Sequence, residues 1–360
     1  MILNPRLIAF YLPQFHPIKE NNEWWGDGFT EWTNVVKAKP LYPGHYQPRL
    51  PADLGFYDLR VPESREQQAV MARGYGIEGF CYYHYWFAGR ELLERPFKAV
   101  VQSGKPDFGF CVCWANQTWT GIWHGAPDRV LIEQTYPGDE DHRRHFASLL
   151  PAFADARHIR VDGKPVFVIY RPRGLPDPRR TTDLWREMAV KAGLAGLHLV
   201  GVDEDPEWQP AHFGFDASTT PQLPQRRGWI SRRRPLQWLR QRYEMTRGYP
   251  TIHQYEAVLR TLINTPPHQP NNYPCLIPNW DNTPRSGSNG LVLHGSTPEL
   301  FGRHVRDALE ATRNVDAEHR LIFIKSWNEW AEGNYLEPDA QYGLRYLEVM
   351  RKEVLRPQAE

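Results

Sequence analysis

The stretch WNEWAEGNYLEP, Trp327 to Pro338, holds three carboxylates, Glu329, Glu332 and Glu337, directly after the apolar run LIFIKS. Glu329 and Glu332 are three positions apart, which in a helical turn places them on one face with Cβ atoms roughly 5–6 Å apart. Glycosidic bond cleavage uses two carboxyl groups at one anomeric centre, one giving a proton and one ionised. Acids this close repel when both are charged, so one pKa rises and the other falls. The spacing disfavours the wide, water-holding gap of an inverting pair. The competing reading is a solvated helix face, against which Trp327 and Trp330 weigh.

Similar residue types end other apolar runs. Tyr11, Gln14 and His16 follow the first run. His84, Tyr85 and Trp86 (YHYWF) follow the second, and Trp114, Asn116 and Trp119 (WANQTW) the third. Tyr170 and Arg171 follow the fourth, and Asp203 and Glu204 the fifth. Asn279, Trp280, Asp281 and Arg285 (NWDNTPR) follow the seventh, and Asn328 with the acids follows the eighth. Trp25 lies in the long segment after the first run. Rings offer flat faces for sugar C–H groups, and amides and acids bind hydroxyls, so this is the composition of a glycan cleft. Structural roles compete at each position: His16 and His84 as satisfied core histidines, Asp281 with Arg285 as a loop-fixing ion pair, Asp203 and Glu204 as a helix cap, any single ring as core filling.

The runs that would position these groups are Leu7–Leu12, Gly79–Tyr83, Phe108–Val112, Pro165–Tyr170, Leu197–Val202, Phe213–Ala217, Pro274–Pro278 and Leu321–Lys325. Amphipathic segments separate most of them: Glu63–Arg73, Glu91–Gln102, Asp141–Asp155, Thr182–Ala192, His253–Ile263 and Pro298–Arg313, with Gln341–Glu353 after the last. No clear helix stands between the fifth and sixth runs. Near-continuous apolar strands alternating with helices imply a covered parallel sheet, and eight such units predict a (β/α)8 TIM barrel, one catalytic domain over residues 1–360. An open doubly wound sheet is the alternative, weakened because no strand is followed by a glycine-rich phosphate loop. Gln14–Pro62 and a basic insertion at about 205–250 are long loops that a barrel would place on its catalytic face.

The chain is nearly neutral, +1, which gives no global argument for a nucleic-acid partner. Cys81, Cys111, Cys113 and Cys275 lie in or beside apolar runs without metal-ligand spacing, and read as buried free thiols of a reducing compartment. No metal or other cofactor is expected. The N-terminus does not read as a signal peptide, and no run reaches the roughly 18 apolar residues of a membrane helix. A cytoplasmic location follows as the expectation. The arginines between Arg226 and Arg247 read either as a charged surface or as a contact for a lipid-pyrophosphate-linked glycan or nucleotide-sugar, the former ligand bringing the chain to a membrane surface.

Taken together, WNEWAEGNYLEPD, FYLPQFHP, WWGDGFTEW, YHYWF, WANQTW and NWDNTPR resemble the WbsX-type proteins of bacterial polysaccharide gene clusters, described as glycosyltransferases and similar to glycoside hydrolase family 99, the endo-α-mannosidases. The resemblance spans Arg6 to about Tyr346. It implies a (β/α)8 barrel, retention of configuration and no metal. It also implies that Glu329 acts as base on the sugar's own 2-hydroxyl to form a 1,2-anhydro sugar, that Glu332 is the acid on the leaving oxygen, and that Glu337 binds or orients. Ala331 stands where the hydrolases commonly have histidine. The expected function is therefore a carbohydrate-active enzyme on α-linked glycans of bacterial surface polysaccharide. The alternatives are a cytoplasmic glycosyltransferase of O-antigen or lipopolysaccharide biosynthesis and a non-catalytic glycan-binding module.

Overall fold

The computed structural model describes residues 5–121, 126–203, 205, 208–224, 239, 242–244, 246–263 and 271–356. Most of the basic run between Arg226 and Arg247, and Glu204, lie outside the described residues.

Eight parallel strands close on themselves. They are β1 (Arg6–Tyr11), β2 (Ile77–Phe87), β3 (Gly109–Trp114), β4 (Lys164–Ile169), β5 (His198–Val202), β6 (Ala217–Thr220), β7 (Asn272–Leu276) and β8 (Leu321–Ile324). Each pairs with its successor, and β8 returns to β1 with Arg6 opposite Leu321 and Ala9 opposite Ile324. The architecture is the (β/α)8 barrel expected from the sequence. Apolar residues fill these strands because both faces are covered, by the lumen on one side and helices on the other.

The outer layer comprises α1 (Pro62–Gly74), α2 (Arg95–Ser103), α3 (Asp139–Ala154), α4 (Pro178–Lys191), α5 (Tyr255–Leu262), α6 (Pro298–Ala311) and α7 (Arg345–Val354). Between β5 and β6 stands one 3-10 turn, Pro210–Phe213. The sixth strand begins where the predicted run Phe213–Ala217 ends. Phe213 belongs to the turn, and the strand is the small, polar and buried sequence Ala-Ser-Thr-Thr, which apolarity alone does not mark. Glycines at the β2–β3 pairing let the strands approach: a Cβ on Gly79 would lie 2.3 Å from the Gly109 carbonyl oxygen. All four cysteines are buried and free. Among the described residues no helix is long and apolar enough to cross a membrane.

Candidate active site

The strand pleat carries β8 directly into the site. Side chains alternate along a strand, so Phe323 and Lys325 share the lumen side. Phe323 stacks on Phe10 of β1 with centroids 5.5 Å apart. Lys325 Nζ lies 3.0 Å from Tyr83 Oη and 3.0 Å from Glu329 Oε2, and 5.6–5.8 Å from the ring centroids of Tyr83, Tyr170 and Trp280.

After Lys325 the chain turns tightly. Asn328–Glu329 pairs antiparallel with Asn334–Tyr335, and Trp330–Glu332 forms a 3-10 turn between them. Residues three apart eclipse in such a turn, which brings the Glu329 and Glu332 carboxyls close enough for each to act on the other's charge. The Ser326 hydroxyl pins the loop: it accepts from Glu329 N–H at 2.9 Å and donates to the Asn334 carbonyl at 2.6 Å. Gly333 ends the turn at φ +55°, and a Cβ there would lie 2.7 Å from Asp281 Cβ. Asp281 N–H in turn donates to the Glu332 carbonyl at 2.7 Å.

Arg285, on the short helix Thr283–Ser286 after β7, links two acids. Its Nη1 donates to Glu332 Oε1 at 2.7 Å and its Nε to Glu31 Oε1 at 2.8 Å. Glu31 starts the helix Glu31–Lys37 in the loop after β1. The two catalytic candidates diverge in charge. Burial pushes Glu329 up, but Lys325 and then Arg285 outweigh it and hold the carboxyl below its ordinary range. Burial and the negative charge of Glu329 push Glu332 up to about 7; the Arg285 ion pair pulls the other way and is overcome. Burial also works against the Lys325 charge, yet Glu329 raises that ammonium above its usual value.

A cavity of about 410 Å³ opens over these groups, within the roughly 300–1,000 Å³ of small-molecule sites. Trp25, Phe29 and Trp119 form apolar wall, Gln14, Asn21, Asn34 and Gln117 offer amides, and Glu329, Glu332, Lys325, Arg285, Glu31, Tyr83, Tyr85, Tyr170 and Arg171 supply acids, cations and phenols. Among the described residues no three His, Cys, Asp or Glu side chains gather as a metal site.

Residues 7–350 match the family model described as Glycosyltransferase WbsX. The chain belongs to the WbsX glycosyltransferase family. It is 40% identical over 351 residues to WxcX of Xanthomonas campestris pv. campestris, a protein itself titled uncharacterized, covering 97% of this chain and 50% of that one. The chain thus spans about half the length of the curated relatives it matches. Two solved structures share the fold at 16% identity: a glycoside hydrolase-like protein (TM-score 0.59, covering 98% of this chain and 94% of that one) and the family 99 endo-α-mannosidase of Bacteroides thetaiotaomicron (TM-score 0.57, 98% and 96%). The WbsX family groups this chain with carbohydrate-active enzymes.

Of the residues expected in the site, this WbsX chain brings Gln14, Trp25, Tyr85, Trp119, Tyr170, Arg171, Arg285, Glu329 and Glu332 to the cavity wall. The others stand around it. His84 and Trp86 point outward from β2 to α3, where His84 Nε2 meets His145 Nε2 at 2.8 Å and Trp86 donates to Asp141 at 3.0 Å. Trp114 packs in the same layer beside His145 and Trp185. Asn116 holds the main chain of Arg171. Asp281 does not pair with Arg285; its carboxylate accepts from Gln47 at 2.7 Å and meets His45 at 2.7 Å. Trp280 is buried with Tyr255 and Leu291. Asn328 accepts from Leu12 N–H at 2.7 Å. Tyr11 donates to Gln68, which with Tyr57 and Trp330 donates to Glu337, so Glu337 is tied to the acid-bearing turn through Trp330. Burial pushes Glu337 up to about 7 and His16, also outside the wall, down to about 4. Asp203 is held by Arg173.

Sequence reasoning passed over Lys325, Glu31 and Tyr83 as site groups. Lys325 carried a signal, as the one charged residue ending an apolar strand run. Glu31 carried none, because its position depends on how the loop after β1 folds across the barrel mouth.

Proposed function

We propose that this chain breaks or transfers α-glycosidic bonds of bacterial surface polysaccharide with retention of configuration, using Glu329 and Glu332. The observation that carries this reading is the pair itself: an acid held ionised by Lys325 beside an acid held protonated near pH 7, at the floor of a cavity walled with rings and amides. In the first step Glu329 accepts the 2-hydroxyl proton of the sugar, the 2-oxygen attacks C1, and the bond from C1 to the leaving oxygen breaks as Glu332 protonates that oxygen. In the second, Glu332, now a carboxylate, takes a proton from water or an acceptor hydroxyl. The oxygen of that water or hydroxyl attacks C1, the C1–O2 bond opens, and Glu329 returns the proton to O2. Two inversions give net retention.

Tyr83 and Lys325 assist by keeping Glu329 oriented and charged in a desolvated site, where a fixed cation is worth more than in water. Glu337 orients the turn through Trp330. Whether water or a sugar hydroxyl enters in the second step decides hydrolysis against transfer. The family's description as glycosyltransferases favours transfer as the second reading, and a lipid-pyrophosphate-linked glycan or nucleotide-sugar would then be the donor.

The test is a panel of α-linked bacterial oligosaccharides and nucleotide-sugars run in heavy-oxygen water, with products read by mass spectrometry. Label at the new reducing end identifies hydrolysis; an extended, unlabelled product identifies transfer. Binding without any turnover in the panel would replace the enzyme reading by that of a glycan-binding module.

A further inference from the structure

The charged groups of the cavity match one another with one exception. Arg285 is paired to Glu31 and Glu332, and Lys325 to Glu329. Arg171 lines the same cavity, is exposed, and its guanidinium meets no acid among the described residues. Two residues away, Arg173 shows the usual arrangement, a fork on Asp203 with Asp205 at 3.5 Å.

The main chain of Arg171 is nonetheless built with care. Asn116 Oδ1 accepts from Arg171 N–H at 2.8 Å, and Asn116 Nδ2 donates to the Arg171 carbonyl at 2.9 Å and to Tyr136 Oη at 2.9 Å. A side-chain amide satisfying both main-chain groups of one residue fixes where that residue's stem leaves the barrel. Here it fixes an arginine that lines the cavity and whose guanidinium has no protein partner among the described residues. Arginine presents a rigid planar fork that suits carboxylate and phosphate oxygens.

We infer that the glycan taken by this cavity is anionic, and that Arg171 receives its carboxylate or phosphate. This rests on the glycan reading of the cavity and narrows it to sugars bearing an oxyanion, such as uronic acids or sugar phosphates. Asn116 is then a positioning residue, acting through the Arg171 main chain.

The experiment uses matched α-linked oligosaccharides in three forms: neutral, oxidised at C6 to uronates, and phosphorylated at C6. Binding is measured by calorimetry on the Glu329→Gln protein, which leaves ligands intact. The anionic forms are expected to bind roughly 10–100-fold tighter than their neutral parents, the range of hydrogen bonds to charged groups, with the advantage shrinking as salt rises. The uronate and phosphate arms separate the two sources of charge. Adding Arg171→Gln is expected to remove the preference, and Arg171→Lys to keep part of it. The inference is overturned if neutral and anionic forms bind alike, or if Arg171→Gln retains the full preference. Binding of neutral glycans alone overturns this inference and leaves the glycan reading standing; binding of none of the three forms overturns both.

Discussion

Lys325 Nζ stands 3.0 Å from Glu329 Oε2 with both side chains almost wholly buried. The ammonium is what lets a desolvated carboxyl stay ionised, as the proposed base must be. With Lys325→Met, burial is left as the dominant influence on Glu329, and its pKa rises. The acid limb of the kcat/KM profile is expected to move to higher pH, with neutral-pH activity falling by roughly 10²–10⁴-fold, the usual worth of a general base. A pH–rate series on whichever substrate the oligosaccharide panel turns over checks this, and an unmoved acid limb would sink it.

Glu332 predicts the other limb. The proposed reaction needs this group protonated, so activity should decline as pH rises through about 7. Glu332→Gln removes the acid, and kcat for poor leaving groups is expected to drop roughly 10²–10⁴-fold while activated aryl glycosides lose much less. Comparing the two leaving-group classes separates lost acid catalysis from a damaged fold.

The same shift has a sign for stability. Unfolded, a glutamate loses its proton near 4.3; folded, Glu332 and Glu337 keep theirs to about 7. Between these values the folded state binds more protons, so stability falls as pH rises. Glu332→Gln should therefore flatten the loss of melting temperature from pH 5 to pH 8 relative to the parent, by roughly 1 °C for each kcal/mol relieved in a chain of this length. Thermal melts across that range measure it.

Arg285 bridges Glu31 and Glu332 from a nearly buried position. Arg285→Met leaves two buried acids without their cation and is expected to cost about 3–5 kcal/mol, the penalty for breaking a buried pair from one side. Adding Glu31→Gln should recover part of it, which chemical denaturation of the single and double variants would read.

Gly333→Ala tests the turn. Its φ of +55° and the 2.7 Å approach to Asp281 leave no room for a methyl group. The variant is expected to displace Glu332 from Arg285 and to lose activity more than ten-fold, checked by kcat together with near-ultraviolet dichroism from Trp330.

The barrel was legible because parallel strands buried on both faces read as continuous apolar runs. The site was legible in part, and β2 shows why. Tyr83 and Tyr85 point into the lumen, while His84 and Trp86 point to the helix layer. Taking consecutive residues at a strand end as one cluster ignores the two-residue period that sends neighbours to opposite faces. That period would have separated Tyr85 from His84 and Trp86. It also places Lys325 on the lumen side with Phe323. What it could not reach is Glu31, whose placement depends on the loop crossing from β1 to Arg285, a contact between residues far apart in the chain.

Leu12 and Asn328, 316 residues apart, are joined by the hydrogen bond that ties β1 to the acid-bearing turn. During synthesis β1 leaves the ribosome early and must wait for its neighbour on that side until β8 arrives. The strand that seals the cylinder is the one that delivers both glutamates, so a nascent chain has no partly competent stage: until the last stave is in place there is neither a closed wall nor an acid pair, and closure and competence come as one event.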